Sequence, residues 1–107
     1  MSTVRDETVL EEAERIINGD RRAEYGGALE SFTRIAALWS VVLDVEVTPH
    51  QVSLCLVQLK VARAIQGTLT GVWHRDSYVD IAGYAGCSEK IEMDLIQQKS
   101  EAGLPAE

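Results

Sequence analysis

Apolar positions recur along the chain with the period of a helix almost throughout. Val9, Leu10, Ala13, Ile16 and Ile17 fall on one stripe. Thr8 and Glu11 stand at capping-box spacing before it, and Asn18-Gly19 supplies the residues a helix C-terminus favours. Residues 20–27 are charged and closed by two glycines, and they read as a loop that could hold one helical turn. A second helix is predicted from about Ala28 to Leu43. Its buried face would be Leu29, Phe32, Ile35, Ala36, Trp39, Val42 and Leu43, with Glu30 and Arg34 paired at i,i+4 on the other side.

The third helix carries the clearest start signal. Thr48 is placed as N-cap, Pro49 as N1 and Gln51 as N3, with Val47 and Val52 as a hydrophobic staple. Residues 52–65 are apolar nearly all round, which makes this the central helix, and Gly67 is expected to end it. Its exceptions, Ser53, Lys60 and Arg63, fall within about 80° of one another and share a face. Residues 68–75 read as a loop carrying Leu69, Val72, Trp73 and His74. A fourth helix is predicted from about Asp76 into the nineties, with Asp76, Asp80, Gly83 and Cys87 on one stripe. Four helices, short connections and no strand signal predict an all-α, four-helix bundle-like single domain over residues 1–107, with a core at about 8–97 and a frayed tail at 98–107.

Composition narrows the function classes. The chain has 107 residues, 46% of them hydrophobic and 25% charged, an ordinary globular mix. Seventeen acidic residues against ten Lys and Arg give a net charge of −7, which disfavours a polymeric nucleic-acid partner but not a small phosphorylated ligand held by a few local cations. No apolar run reaches the ~18 residues of a membrane span, and the acidic N-terminus lacks the features of a signal peptide. Cys55 and Cys87 read as small core residues of a reduced, cytoplasmic protein. A domain this short gains from self-association, so a dimer or tetramer is expected.

The candidate chemistry clusters late in the chain. Asp76 and Asp80 are helical neighbours whose like charges call for a cation. Mg²⁺ with Glu30 as a further ligand is one solution; helix capping by Asp76 and an ion pair from Asp80 to Lys60 or Arg63 is the other. Gly83 and Gly86 each cost a helix about 1 kcal/mol relative to Ala, so a close approach by a helix or a ligand is expected there. Lys60 and Arg63 could serve an ion pair or a phosphate. Arg21, Arg22 and Tyr25 precede two glycines in a segment suited to either phosphate contact or a plain connector. Trp73 could stack on a base and His74 donate to a phosphate, or both could act as packing lids. No Ser-His-Asp or Cys-His arrangement and no zinc spacing is evident, and His50 is accounted for by its place in a first helical turn.

The order Gly19-Asp20-Arg21, Tyr25-Gly26, Phe32 with Arg34-Ile35-Ala36 and Leu38-Trp39, Lys60-Val61-Ala62-Arg63, then Asp76-Ser77 with Asp80-Ile81-Ala82-Gly83-Tyr84 resembles a family of small phage and prophage proteins carrying an uncharacterised domain. The layout is more distantly similar to the MazG-like all-α nucleotide pyrophosphohydrolases. That resemblance implies Mg²⁺ held by a Glu-x-x-Glu pair and a later Glu-x-x-Asp pair, in dimers or tetramers. Asp76 and Asp80 fall where the later pair would, but at i,i+4 rather than i,i+3. The second helix offers only Glu30, and Glu11-x-x-Glu14 lies one helix too early.

Three functions follow as expectations. The first is a nucleotide binder that sequesters a linear, cyclic or ADP-ribose-type signal of host defence without cleaving it, using Arg21, Arg22, Tyr25, Lys60, Arg63, Trp73 and His74. The second is a Mg²⁺-dependent pyrophosphohydrolase using Asp76, Asp80 and Glu30. The third is a structural helical module in which Asp80 pairs with Lys60 or Arg63 and the glycines serve packing alone.

Overall fold

The structure, a computed structural model, describes residues 6–20 and 27–103. These residues form four helices and no strand. The first, α1 (Val9–Arg15), opens on the expected capping box: the Glu11 amide donates to the Thr8 hydroxyl at 3.1 Å and the Thr8 amide to the Glu11 carboxylate at 2.9 Å. It runs into a π-helical turn, Ile16–Asp20. The second helix, α2 (Ala28–Leu43), stops where Asp44 turns left-handed at φ 57°. The third, α3 (Pro49–Thr70), starts on the Thr48–Gln51 capping box with Pro49 in its first turn. The fourth, α4 (Arg75–Glu101), is about 40 Å long at 1.5 Å per residue and packs against all the others.

Three expected boundaries move. Gly67 does not end α3; the helix continues to Thr70, and Gly71 closes it at φ 79°. There the Val72 amide donates to the Gly67 carbonyl at 2.8 Å and the Gly71 amide to that of Thr68 at 3.3 Å, the paired hydrogen bonds of a Schellman turn. Gly67 is needed because this turn folds back over it: a Cβ at Gly67 would lie 2.5 Å from the Val72 carbonyl oxygen. The α3–α4 connection is therefore shorter than the expected 68–75 loop. At its far end His74, not Asp76, occupies the N-cap position, and Asp76 sits within the first turn of α4. That helix then continues past residue 98, where a tail was expected.

Phe32 and Ala36 from α2, Val52 from α3, and Cys87 and Ile91 from α4 form the core, with Trp39, Leu56 and Tyr84 packed around it. Val42 and Leu43 are not part of it and stand 81% and 59% exposed. Val42 lies nearly a quarter turn from the line of Phe32, Ala36 and Trp39, and Leu43 is the terminal residue of α2. Cys55 is likewise exposed on α3, whereas Cys87 is buried as expected, and neither forms a disulfide among the described residues.

Small residues let α3 and α4 pack closely: Ser53, Ala64 and Gly67 are buried on one, and Ser77 and Cys87 on the other. The Ser53 hydroxyl donates across this contact to the Tyr84 carbonyl at 3.1 Å, so Ser53 faces the interior rather than a polar face. On the other side of α4, Ile17 of the π turn rests over Gly83 and Gly86. A Cβ at Gly86 would come within 2.7 Å of the Ile17 Cδ1, whereas at Gly83 it would make ordinary contact at 3.6 Å. The first helix is held down by Arg75, whose guanidinium pairs with Glu12 and donates to the Glu7 carbonyl at 3.1 Å. No helix among the described residues is long and apolar enough to cross a membrane.

Candidate functional site

The corner where α3 ends and α4 begins gathers most of the candidate residues. Lys60 and Arg63 are one turn apart on α3, and Asp76 and Asp80 one turn apart on α4. Lys60 Nζ lies 2.9 Å from Asp80 Oδ2, with both side chains partly covered. That pair supplies the cation that the two neighbouring carboxylates required. Asp76 is exposed in the first turn of α4, where its charge complements the helix dipole.

Arg63 is exposed and, among the described residues, makes no ion pair. It borders an open cleft of about 350 Å³ together with Gln66, Gly67, Thr70, Val72 and His74. His74 is anchored there, its Nδ1 lying 2.6 Å from the buried Ser77 hydroxyl. Trp73 stacks on Tyr78, with ring centroids 5.0 Å apart and planes inclined by 23°, yet keeps 60% of its surface exposed. An anion-accepting group, polar side chains and a supported aromatic ring thus lie at one end of the bundle.

The remaining candidates separate from this corner. Glu30 sits on α2 and faces Arg34 at 3.7 Å, both well exposed. Among the described residues no three His, Cys, Asp or Glu side chains gather in a way that could hold a metal ion. Arg21, Arg22 and Tyr25 lie outside the described residues.

Sequence reasoning overlooked two arrangements. Arg75, one residue before the acidic pair, clamps α1 through Glu12, a contact between residues 63 apart in the chain. His50 is more than a first-turn residue. Its Nε2 lies 3.0 Å from a Glu92 carboxylate oxygen and its Nδ1 2.8 Å from the Ser88 hydroxyl. Through these two contacts the imidazole bridges α3 and α4. Neither pairing leaves a mark in local spacing. One signal was legible in the chain: residues 47–75 contain no Asp or Glu, although the protein carries seventeen elsewhere. This acid-free stretch includes all of α3 and the cleft residues Arg63 and His74.

Residues 8–92 match the family described as "Domain of unknown function (DUF6378)". Among curated proteins, the chain is 45% identical over 91 residues to the Gene 55 protein of Mycobacterium phage D29, covering 85% of this chain and 58% of that protein. It is 44% identical over 87 residues to the Gene 55 protein of Mycobacterium phage L5, covering 80% and 53%. The chain therefore spans just over half the length of these relatives. No solved structure matches it significantly.

Proposed function

The chain belongs to the DUF6378 family, which has phage members and no defined activity, and from its geometry we propose that it binds a nucleotide-type phosphorylated molecule and sequesters it without cleavage. The observation that carries this reading is Arg63: a cation without an ion-pair partner among the described residues, on the rim of an open cleft, in a stretch devoid of acids. Arg presents a planar fork of donors suited to phosphate oxygens. Trp73, backed by Tyr78, offers a ring face on which a base can stack. Binding without cleavage is favoured because Asp80 and Glu30 face Lys60 and Arg34 rather than one another. In a phage setting, a stoichiometric binder of this kind would remove a nucleotide signal of host defence.

The test is a panel of linear, cyclic and ADP-ribose-type nucleotides incubated with the protein and Mg²⁺. The protein is then heat-denatured and the released molecules are chromatographed. A nucleotide depleted from solution and recovered intact is the expected result, with depletion lost in Arg63→Ala. Conversion to a monophosphate and pyrophosphate would replace sequestration by MazG-like hydrolysis, with Asp76 and Asp80 recruited to Mg²⁺. No depletion by any member of the panel would refute the nucleotide reading.

A second reading, a helical interaction module, is favoured by the Lys60–Asp80 pair and by the seating of Ile17 over Gly86. It predicts that Asp80→Asn lowers stability while no nucleotide changes the melting temperature.

A further inference from the structure

We propose that the outer face of α3 is a self-association surface, on which a second copy of this chain packs its own α3 in antiparallel orientation. The core side of α3 is filled by Val52, Ser53, Ala64 and Gly67. The opposite side should then be polar, as on a surface helix. Instead it presents Leu54, Ile65 and Leu69 at 61%, 53% and 76% exposure, with Ala62 between them.

These positions form a seam. Leu54, Gln58, Val61, Ile65 and Leu69 follow one another at intervals of four, three, four and four, the spacing with which helices interlock side by side. The seam is also symmetric about a point between Val61 and Ala62. An antiparallel copy centred there would set Leu54 against Leu69 of the partner subunit, Gln58 beside Ile65 of the partner subunit and Val61 beside Ala62 of the partner subunit. Every large apolar group would meet another apolar or amide-bearing side chain. The small Ala62 falls at the crossing, where the backbones approach most closely. This is the self-complementarity an isologous two-fold contact requires.

The exposed apolar area is of the order that a stable pair needs. The short connection after α2 brings its last turns beside the start of α3, and the Val47 amide donates to the Ser40 hydroxyl at 2.8 Å to fix that hairpin. Leu38, Val41 and Val42 on those turns are 63–81% exposed. With Leu54, Ile65 and Leu69, and at on the order of 100 Å² for each side chain, they amount to about 600 Å² of exposed apolar surface per copy, of the order of the ~800 Å² that one partner contributes to a standard interface.

Charge also selects a second copy. Each chain carries −7, so two copies repel wherever acids face one another. The outer face of α3 has no acid and lies within the acid-free stretch, where that repulsion is least. It offers no charge pattern for a strongly charged partner to read.

The native chain should sediment at about twice its 11.8 kDa mass at micromolar concentration. Leu54→Lys combined with Leu69→Lys should keep the helical circular dichroism and raise the dissociation constant by about 100-fold or more. Met93→Lys, at an exposed apolar position on α4, should leave the dimer intact. In a Cys55→Ser background, Ala62→Cys should cross-link to its own copy on mild oxidation. The native Cys55 should not, because the antiparallel pairing sets the two Cys55 residues about 20 Å apart along the helix axis, far beyond disulfide reach. A native chain that stays monomeric leaves this face to a different protein and overturns the proposal. So does a dimer that survives the double substitution, one that Met93→Lys disrupts equally, or one in which Ala62→Cys fails to cross-link. None of these measurements involves a nucleotide.

Discussion

The ammonium of Lys60 on α3 lies 2.9 Å from a carboxylate oxygen of Asp80 on α4. The pair joins the two longest helices, and its partial exposure keeps its worth modest. Asp80→Asn or Lys60→Met should each lower unfolding stability by about 1 kcal/mol, with a coupling energy below that in the double-mutant cycle. Urea denaturation of the four proteins measures it.

Gly67 and Gly83 should respond in opposite directions to the same substitution. Gly67→Ala places a Cβ against the Val72 carbonyl, part of the backbone that closes α3, and should destabilise by about 2 kcal/mol or more. Gly83→Ala meets only Ile17 at an ordinary contact distance and gains helix propensity, so it should stabilise by up to ~1 kcal/mol. Melting temperatures of the two variants decide it.

Arg75→Ala should loosen α1 and leave the rest of the bundle in place. The guanidinium faces Glu12 and the Glu7 carbonyl from a largely buried position, and its loss should cost about 1–3 kcal/mol. Hydrogen exchange is the informative measurement. Protection should fall along Val9–Arg15 while Val52 and Ile91, fully buried in the core, keep theirs.

Acid should act on the same end of the molecule. The hydrogen bond from Arg15 holds the Glu7 carboxyl below its ordinary value. A lowered native pKa means that the folded state favours the ionised form. Its contribution is complete above the ordinary carboxylate value, about 4.3, and is lost as pH falls through the lowered one. Thermal unfolding followed between pH 6 and pH 3 should therefore show a smaller acid-induced loss in Glu7→Gln than in the native chain.

The helices were legible because their signals are local. Thr8 with Glu11, and Thr48 with Pro49 and Gln51, are start signals contained in four residues, and α1 and α3 begin where they say. The end of α3 was misplaced because Gly67 and Gly71 look alike in a sequence. Only the fold shows that one is required by a chain crossing over it and the other by a left-handed turn. Within the candidate site, the Asp80–Lys60 pairing was one of two alternatives open in the sequence. Arg75 with Glu12 and His50 with Ser88 and Glu92 were not legible, because each joins residues on separate helices whose relative placement local pattern does not encode.

The π turn at Ile16–Asp20 has a consequence for insertions and deletions. Such a turn accommodates one residue more than an α-helical turn. Deleting one residue there would relax the turn to α geometry and keep the register on either side, whereas the same deletion within Val9–Arg15 would rotate every later position by about 100°. Homologous chains one residue shorter at this point should therefore keep α1 seated on the bundle, with only the π turn lost.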